Sequence, residues 1–267
     1  MLIASLQNPR IKAIGRLRRR THRDDDQSMI IEGYREVKRA LENRYLPTEL
    51  FHCPALYQGS NEPELVGRCH EAGATVFECT VEVFSKITYR DRPEGILAVA
   101  PALHRTLADL TVPAAPLLVV AEAIEKPGNL GTILRSADAA GVHGVIVCDK
   151  CTDINNPNVV RASIGTLFTV PLAEADSPAA IEWLKARDIK ILAATPHATQ
   201  EFFDVDLRTG IAIVLGTEQY GLSTHWLEAA DLKVRIPMSG QADSLNVASA
   251  ATILMFEAVR QRRQSKG

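Results

Sequence analysis

Two kinds of hydrophobic pattern divide the chain. Up to about residue 100, short apolar segments alternate with amphipathic stretches, as in LPTELFHC, PELVGRCHEAG, GATVFECT and EGILAVA. Beyond residue 116 the apolar runs become almost continuous, as in LLVVAEA, GVIVCD, LFTVPL, IKILAAT and IAIVLG. Continuous runs are typical of strands that are buried on both faces of a parallel sheet covered by helices. The pattern predicts a small α/β domain followed by a doubly wound parallel α/β domain.

The two patterns meet in PALHRTLADLTVPAAP, which holds three prolines and no sustained periodicity. Such a stretch is typical of a connection, so we place the first domain at residues 1–104, a linker at 105–115 and the second domain at 116–267. The last apolar stretch, SLNVASAATILMFEAVRQRR, predicts a helix. Its expected apolar side consists of Val247, Ala250, Ile253, Leu254 and Phe256.

Charge adds a local feature to this picture. The 267 residues include 30 Lys and Arg against 32 Asp and Glu, so the whole chain gives no basic signal for nucleic acid. Residues 10 to 23, however, contain no acid and a run of basic side chains: Arg10, Lys12, Arg16, Arg18, Arg19, Arg20 and Arg23. This stretch predicts a cationic patch near the start of the first domain.

Cysteine usage and hydropathy bear on the compartment. Five cysteines, with no secretory hydrophobic region before them, favour free thiols in a reducing compartment, and we expect a cytoplasmic protein. No apolar run reaches the ~18 residues of a membrane-spanning helix, so no membrane association is expected. Cys148 and Cys151 form a single CxxC motif without a second ligand pair, and we expect no metal.

Three loops at predicted strand ends contain the candidate chemistry. EKPGNLGTILRSADAAG follows the first continuous strand but lacks the G-x-G-x-x-G pattern of a dinucleotide site, which argues against an NAD-dependent oxidoreductase. It places Asn129 near a helix start and Arg135 about two turns later, on roughly the same side. The stretch LGTEQYGL brings Glu218, and IPMSGQADSLNV brings Ser244 and Asn246. If strands 1, 5 and 6 of this domain are neighbours, the three loops form one site.

Together and in this order, these stretches resemble the SpoU-type (TrmH-like) RNA ribose 2'-O-methyltransferases of the SPOUT superfamily. The family's first motif, N-x-G-x-x-x-R, matches Asn129, Gly131 and Arg135. Its second motif, L-G-x-E-x-x-G-L, matches Leu215, Gly216, Glu218, Gly221 and Leu222. Its third motif, I-P-M-x-G-x-x-x-S-L-N-V, matches Ile236, Pro237, Met238, Gly240, Ser244, Leu245, Asn246 and Val247.

The resemblance implies a fold and a cofactor. The second domain would be a SPOUT domain whose last segments form a trefoil knot, with S-adenosylmethionine bound in the knot. The residues that would hold this cofactor are Thr195, Leu215, Gly216, Ile236, Met238 and Leu245. The first domain resembles the L30e-like RNA-binding module of the family in IIEGYREVKRAL and EGILAVA. Family members are homodimers, so a homodimer is also expected.

The resemblance further implies a reaction at the ribose. The catalytic set would be Asn129, Arg135, Glu218, Ser244 and Asn246. Arg135 would activate the 2'-hydroxyl either as a base or as an electrostatic stabiliser, and we favour stabilisation because an arginine stays protonated. The basic stretch from Arg10 to Arg23 would bind RNA, supported by Arg35, Lys38, Arg39 and the C-terminal arginines.

The target RNA stays open at this point. Ribosomal RNA is favoured because an L30e-like module fits it, and tRNA is the alternative. A protein of the same fold that binds RNA without catalysis is a further alternative, and the presence of all five catalytic residues argues against it. The sequence therefore predicts an S-adenosylmethionine-dependent RNA 2'-O-methyltransferase.

Overall fold

A computed structural model describes residues 1–264 of the chain. The chain folds into two compact units. The first contains Met1–Leu103 together with Asp153–Thr169, and the second contains His104–Thr152 together with the chain from Val170 onward. Residues 265–267, which belong to the predicted second domain, lie outside the described residues. The predicted division at 1–104, 105–115 and 116–267 stays a prediction, since the two compact units are not contiguous in sequence.

The first unit is an α/β structure built on a mixed sheet. Its strands are β1 Leu2–Ile3, β2 Ser28–Glu32, β3 Glu49–His52, β4 Thr75–Cys79 and β5 Ile96–Pro101. Its main helices are α1 Pro9–Arg16, α2 Arg20–Asp26, α3 Tyr34–Glu42, α4 Glu62–Glu71 and α5 Val81–Ile87. The strand order is β1-β4-β3-β5-β2, and β5 runs antiparallel to both of its neighbours.

Side chains on both faces of this sheet are buried. Ile11 and Ile14 of α1 pack with Phe84 of α5 in one cluster, where Phe51 and Phe77 stack with ring centroids 5.1 Å apart. The helices α3 and α4 contact each other and the sheet. The apolar segments LPTELFHC, GATVFECT and EGILAVA contain the strands β3, β4 and β5, and the predicted α/β character of this unit is confirmed.

Residues 153–169 belong to the first unit although they follow the seventh strand of the chain. This segment contains a short helix, Pro157–Ala162, which we label α7. Its Asn155 side chain accepts the N–H of Leu103 at 2.7 Å and donates to the carbonyl of the same residue at 3.1 Å. The ring of Phe168 stacks on Tyr45 at 5.0 Å. These polar and aromatic contacts hold the segment against the first unit.

The second unit is a seven-stranded sheet in which every pairing is parallel. Its strands are β6 Leu117–Glu122, β7 Gly144–Cys148, β8 Leu172–Ala175, β9 Lys190–Ala194, β10 Gln200–Glu201, β11 Ile211–Leu215 and β12 Leu232–Arg235. Its helices are α6 Pro127–Ala140, α8 Ser177–Lys185, α9 Thr224–Ala229 and α10 Val247–Gln264. The strand order is β10-β12-β9-β11-β6-β7-β8.

Helices cover both faces of this parallel sheet. Successive strand residues point to opposite faces, so Leu118 and Val120 pack with Trp183 of α8 and Trp226 of α9 in one buried cluster. The helices α6 and α10 pack against each other and contact the strands β6, β7 and β11. Every residue of β6, β7 and β11 is buried as a result. The predicted doubly wound parallel architecture is confirmed.

Two local predictions are wrong. LFTVPL is not a strand, because Thr166–Phe168 form a 3-10 turn and the strand β8 begins only at Leu172, after Pro171. The predicted apolar side of α10 is wrong for Ile253 and Phe256, which are 36% and 45% exposed, and right for Val247 and Leu254, which are buried. Ala251 and Met255 are buried in addition.

Candidate active site

The carboxyl edge of the second sheet brings the predicted motifs together. From β6 the chain builds outward through β7 and β8, and then returns to form β9 and β11 on the other side of β6. Ligands of open α/β sheets bind outside the carboxyl ends of the strands where the order reverses in this way. The predicted adjacency of the first and fifth strands is confirmed by the pairing of β6 with β11.

The sixth strand is not part of that pair. Instead, β12 lies beyond β9, so the expectation that strands 1, 5 and 6 are direct neighbours is wrong for β12. The third motif reaches the site through the loop 236–246, which leads from β12 to the start of α10. Because α10 packs on α6, the loop ends beside the first motif.

A hydrogen-bonded cluster joins the three motifs at Glu218. Asn129 donates from Nδ2 to Glu218 Oε1 at 2.6 Å, and Asn246 donates from Nδ2 to the same oxygen at 2.9 Å. The Asn246 amide also lies 3.2 Å from Oδ1 of Asn129. These residues lie up to 117 positions apart in the chain. We call this set the Glu218 cluster: Lys126, Asn129, Glu218 and Asn246.

Lys126 completes the cluster and sets its electrostatics. Its Nζ pairs with Glu218 Oε2. The hydrogen bond from Lys126 lowers the pKa of the Glu218 carboxyl, against a smaller opposing effect of burial, and the bond from Asn129 lowers it further. The same contact raises the pKa of Lys126. Glu218 is therefore an ionised acceptor that orients amides, and it is a poor base at neutral pH.

The loop that carries Glu218 is closed by its own backbone. Thr217 and Gly221 exchange two backbone hydrogen bonds at 3.0 and 3.1 Å, with Gly221 at φ +70. A Cβ on Gly216 would lie 2.2 Å from the carbonyl oxygen of Gly221, so only glycine fits there. The buried Glu122 at the end of β6 accepts the N–H of Ser223 at 3.0 Å and fixes the far side of the loop.

The third motif meets the cluster through a helix cap. The helix α10 begins at Val247, and Asn246 Oδ1 accepts the N–H of Ala248 at 3.0 Å. Asn246 is therefore the N-cap of α10. One asparagine thus starts α10 with its oxygen and contacts Glu218 with its nitrogen.

Arg135 and Ser244 are not part of the Glu218 cluster. Both are exposed, and within residues 1–264 neither forms a hydrogen bond or ion pair with the cluster. Six residues along a helix correspond to a rise of about 9 Å and a rotation of about 240°. Arg135 therefore does not share a side of α6 with Asn129, and the expectation that it does is wrong. Its guanidinium is free to meet a substrate.

The six predicted cofactor residues surround the same edge. Leu215 ends β11 and Gly216 follows it, Thr195 follows β9, and Ile236 follows β12. Met238 and Leu245 are each 37% exposed and add apolar surface to the loop 236–246. Small and apolar groups beside a buried backbone turn suit an adenosine and a thioether.

The charge of these loops distinguishes S-adenosylmethionine from a dinucleotide as the cofactor. The stretches 195–199, 215–222 and 236–246 contain no lysine or arginine. The neighbouring Lys126 is engaged by Glu218. These three stretches offer a pyrophosphate no lysine or arginine, whereas S-adenosylmethionine carries no phosphate and bears a positive sulfonium. The residues present therefore fit S-adenosylmethionine and not a dinucleotide.

The structure divides the predicted RNA-binding residues of the first unit. Lys12, Arg16 and Arg19 are exposed and form no ion pair among the described residues. Others are partly engaged, since Arg10 pairs with Glu49 and Arg18 donates to the carbonyl of Thr88 at 2.7 Å. Arg20 lies 3.5 Å from Asp24 in an exposed pair.

Arg23 is the exception in this set. It is 2% exposed, and its Nε and Nη2 donate to Asp153 at 3.1 and 2.8 Å. Its Nη1 donates to the carbonyls of Leu17 and Arg18. A buried and fully engaged guanidinium cannot reach a phosphate, so Arg23 is corrected to a structural residue. Among the C-terminal arginines, Arg262 likewise donates to backbone carbonyls, including that of Leu207 at 3.0 Å.

Sequence reasoning missed Lys126 and Glu122. Lys126 stands directly before the proline that starts α6, one turn ahead of Asn129, and this position was the available signal. Glu122 is the last residue of an apolar strand, and nothing in the surrounding sequence indicates a role for it. Within residues 1–264 no group of three His, Cys, Asp or Glu is placed to hold a metal, and no helix is long and apolar enough to cross a membrane.

Comparisons with known proteins bear directly on this site. Residues 116–256 match the model of the SpoU rRNA Methylase family, and residues 8–98 match the MRM3-like substrate binding domain. A 23S rRNA (uridine(2479)-2'-O)-methyltransferase of Streptomyces viridochromogenes is 42% identical over 142 residues, which is 51% of this chain and 50% of the relative.

Two further relatives cover nearly the whole chain. A 23S rRNA (guanosine(2553)-2'-O)-methyltransferase of Bacillus subtilis is 28% identical over 95% of this chain and 97% of its own. The crystal structure of an AdoMet-bound rRNA methyltransferase from Sinorhizobium meliloti superposes with a TM-score of 0.89, at 32% identity and 97% coverage of both chains.

The fold and site define an S-adenosylmethionine-dependent RNA 2'-O-methyltransferase, and this prediction is confirmed. The chain belongs to the SpoU rRNA methylase family, the SpoU-type group of SPOUT proteins that its motifs resemble.

Proposed function

We propose that this protein transfers the methyl group of S-adenosylmethionine to a ribose 2'-hydroxyl of ribosomal RNA. The observation that supports this most is the Glu218 cluster, which joins all three motifs at the carboxyl edge of the parallel sheet. The relatives described above act on 23S rRNA at different nucleotides, a uridine and a guanosine. The shared feature is the ribose oxygen, and it is this chemistry that we assign to the chain.

The cofactor lies, in this proposal, against the loops that end β9, β11 and β12. Leu215, Gly216 and Ile236 contribute backbone groups, and Leu245 with Met238 packs on the apolar parts. Thr195 lines the other side. When bound, S-adenosylmethionine supplies an electrophilic methyl whose leaving group is a neutral thioether, so no acid is needed on that side. A trefoil knot of the last segments, which the family resemblance implies, is part of the proposal.

The residues of the chain would align and activate the ribose. A guanidinium is a hydrogen-bond donor, so we assign Arg135 the stabilisation of the alkoxide that forms at O2'. Ser244 and Asn246 offer uncharged groups to the sugar edge. Glu218 orients the amides of Asn129 and Asn246 and does not remove the proton itself. The proton of the 2'-hydroxyl then leaves to a phosphate oxygen of the substrate.

RNA contacts would come from the exposed basic residues of the first unit. Lys12 and Arg16 lie four residues apart on α1, and Arg19 follows shortly after. Cations free of protein partners can replace the counterions of an RNA backbone. The match of residues 8–98 to a substrate binding domain supports the same role for this unit, as does its predicted L30e-like character.

Assembly and compartment complete the proposal. Ile253 and Phe256 form an exposed apolar surface on α10, and such a surface suits a contact with a second copy of this chain in a homodimer. All five cysteines within residues 1–264 are free, and four of them are buried. Free thiols and an RNA substrate fit a reducing, cytoplasmic setting.

Methyl transfer from labelled S-adenosylmethionine to purified RNA tests this function. We expect label in deproteinised ribosomal RNA and little in a bulk tRNA preparation of equal mass. Label in tRNA alone would support the tRNA alternative instead. Cofactor binding without transfer to either RNA would support a protein that binds RNA without catalysis, and absence of cofactor binding would contradict the proposal.

A further inference from the structure

A cavity in the first unit is not used by the methyl-transfer site. Its volume is about 560 Å³, within the range of small-molecule and nucleotide sites. The lining comes from the start of α3, the start of α4, the turn around Arg90 and the segment 153–169. All of these belong to one compact unit. The cavity is therefore built from four separate parts of the chain.

Glu62, one of the lining residues, has a buried carboxylate oxygen without a hydrogen-bond partner within residues 1–264. Glu62 is 4% exposed, and its Oε1 accepts the N–H groups of Gln58 and Gly59 at 3.0 and 2.8 Å. Its Oε2 is buried and has no hydrogen-bond partner among the described residues. Buried carboxylates are normally fully hydrogen-bonded, because removing the charge from water is costly. The free oxygen is an acceptor that an N–H donor of a ligand can satisfy.

Arg90, a second lining residue, also has a buried group without a partner in the described part of the chain. Its two terminal nitrogens bind Glu36 and Glu94, whereas its Nε is buried and has no partner among the described residues. A ligand that satisfies both groups must offer a donor to Glu62 and an acceptor to Arg90. Nucleobases with an exocyclic amino group present donors and acceptors side by side on one edge.

The remaining lining favours a nucleotide over an uncharged ligand. Arg35 and Arg161 are exposed and form no ion pair within residues 1–264, so both can meet phosphates. Tyr34 adds an aromatic ring to the same cavity. Single-stranded RNA is recognised by this combination, in which an unstacked base meets an aromatic or guanidinium plane and its edge is hydrogen-bonded.

We propose that this cavity binds one unpaired nucleotide of the RNA substrate, with a base that carries an exocyclic amino group. The amino N–H donates to Glu62 Oε2, and the flanking phosphates contact Arg35 and Arg161. Uracil fits poorly, because its single N–H lies between two carbonyl oxygens that the carboxylate repels. The inference rests on the proposed function, since it assumes that the first unit contacts RNA.

Binding of short homopolymeric RNA oligonucleotides to the full chain tests the base preference. Fluorescence anisotropy should show oligo(C) and oligo(A) binding about tenfold more tightly than oligo(U), the value of one hydrogen bond to a charged group. In Glu62→Gln the amide oxygen can keep the bonds to Gln58 and Gly59, which puts the amide nitrogen in the place of Oε2. This donor suits O4 of uracil, so the preference for oligo(C) should vanish or reverse.

Two variants serve as controls. Glu64→Gln makes the same change of charge at an exposed position of α4 and should keep the wild-type preference. Arg161→Ala should weaken all three oligonucleotides by the same factor, because phosphates carry no base identity. Equal binding of oligo(C) and oligo(U) by the wild type overturns the proposal, and so does a Glu62→Gln variant with unchanged preference.

Failure of this inference is distinguishable from failure of the proposed function. The same preparations are assayed for S-adenosylmethionine binding and for methyl transfer to ribosomal RNA. If both persist while the base preference is absent, only the cavity assignment is wrong. The unfolding midpoint of Glu62→Gln is measured in parallel, and the preference of the wild type tests the inference even if that variant is unstable.

Discussion

The two units handle their charged side chains in opposite ways. In the first unit, charges are buried as ion pairs, such as Arg23 with Asp153 and Arg90 with Glu36. In the second unit, the Glu218 cluster lies at a strand edge, where the side chain of Glu218 is 32% exposed. The buried ion pairs of the first unit thus contribute to its structure, whereas the Glu218 cluster lies where we propose that cofactor and substrate bind. An arginine or a glutamate in the sequence therefore does not by itself indicate which of these two roles it has.

The largest expected effect concerns the second unit. Replacing Arg135 by alanine should lower the rate of methyl transfer by about 100-fold or more, because a charge that stabilises the forming alkoxide is removed. Binding of S-adenosylmethionine, measured by calorimetry, should change little. Arg208→Ala is the matched control, since Arg208 is exposed and paired with Asp206. Full activity of Arg135→Ala would remove the assigned role.

The next effect concerns the buried pair of the first unit. Asp153→Ala leaves the guanidinium of Arg23 buried and unpaired, and we expect a loss of about 3–5 kcal/mol in the free energy of unfolding. Chemical denaturation followed by circular dichroism measures it. Arg20→Ala breaks only an exposed pair and should cost less than about 1 kcal/mol. Similar losses of unfolding free energy in both variants would show that the buried pair stabilises the fold no more than the exposed pair does.

A change in pH should affect the stability contributions of Glu36 in the first unit and Glu218 in the second unit in opposite directions. Burial raises the pKa of Glu36 above 4.5, against the opposing effect of Arg90. The folded state then binds this proton more tightly than the unfolded chain, so stability falls as pH rises from 4.5 through the raised pKa. Glu36→Gln should flatten this part of the stability profile. An unchanged slope in the variant would assign the pH dependence to other groups.

Glu218 should behave in the opposite way. Its pKa lies below 4.5, so the stability it contributes is present above that pH and is lost as pH falls through the lowered value. Solvent screens most of the charge of Glu218, so we expect a small effect on the free energy of unfolding. Glu218→Gln should therefore remove the loss of stability that Glu218 causes below pH 4.5. Glu36→Gln should instead change the stability profile above pH 4.5.

The smallest effect is expected from the exposed basic residues. Replacing Lys12, Arg16 and Arg19 together by alanine should weaken RNA binding. The slope of log K against log salt should become shallower by about 0.7–0.9 for each phosphate that the variant no longer neutralises. Filter binding at several salt concentrations measures the slope. The affinity for S-adenosylmethionine should be unchanged. An unchanged salt slope would show that the RNA does not contact these three residues.

The parallel sheet of the second unit could be predicted from the sequence because most of its signals are local or periodic. Continuous apolar runs follow directly from strands buried on both faces, and glycines such as Gly216 mark backbone that admits no side chain. The asparagines and Glu218 were recognisable from their motifs. The place of β12 in the sheet was not, since strand order depends on how the chain returns through space.

In the first unit the decisive interactions join residues far apart in the chain. Nothing near Arg23 indicates that Asp153, 130 positions later, takes its guanidinium into the core. Glu62 resembles any acidic residue at a helix start, and only the fold shows that one of its oxygens lacks a partner among the described residues. Burial of a charge is a property of the assembled unit, so composition could not reveal it.

The position of the transferred methyl group tests the central claim most directly. Ribosomal RNA labelled by the enzyme from methyl-labelled S-adenosylmethionine is digested with alkali, which cleaves next to each free 2'-hydroxyl. We predict that the label appears in alkali-resistant dinucleotides, because a methylated O2' cannot attack its phosphate. Label recovered in mononucleotides that carry a methylated base would contradict the account.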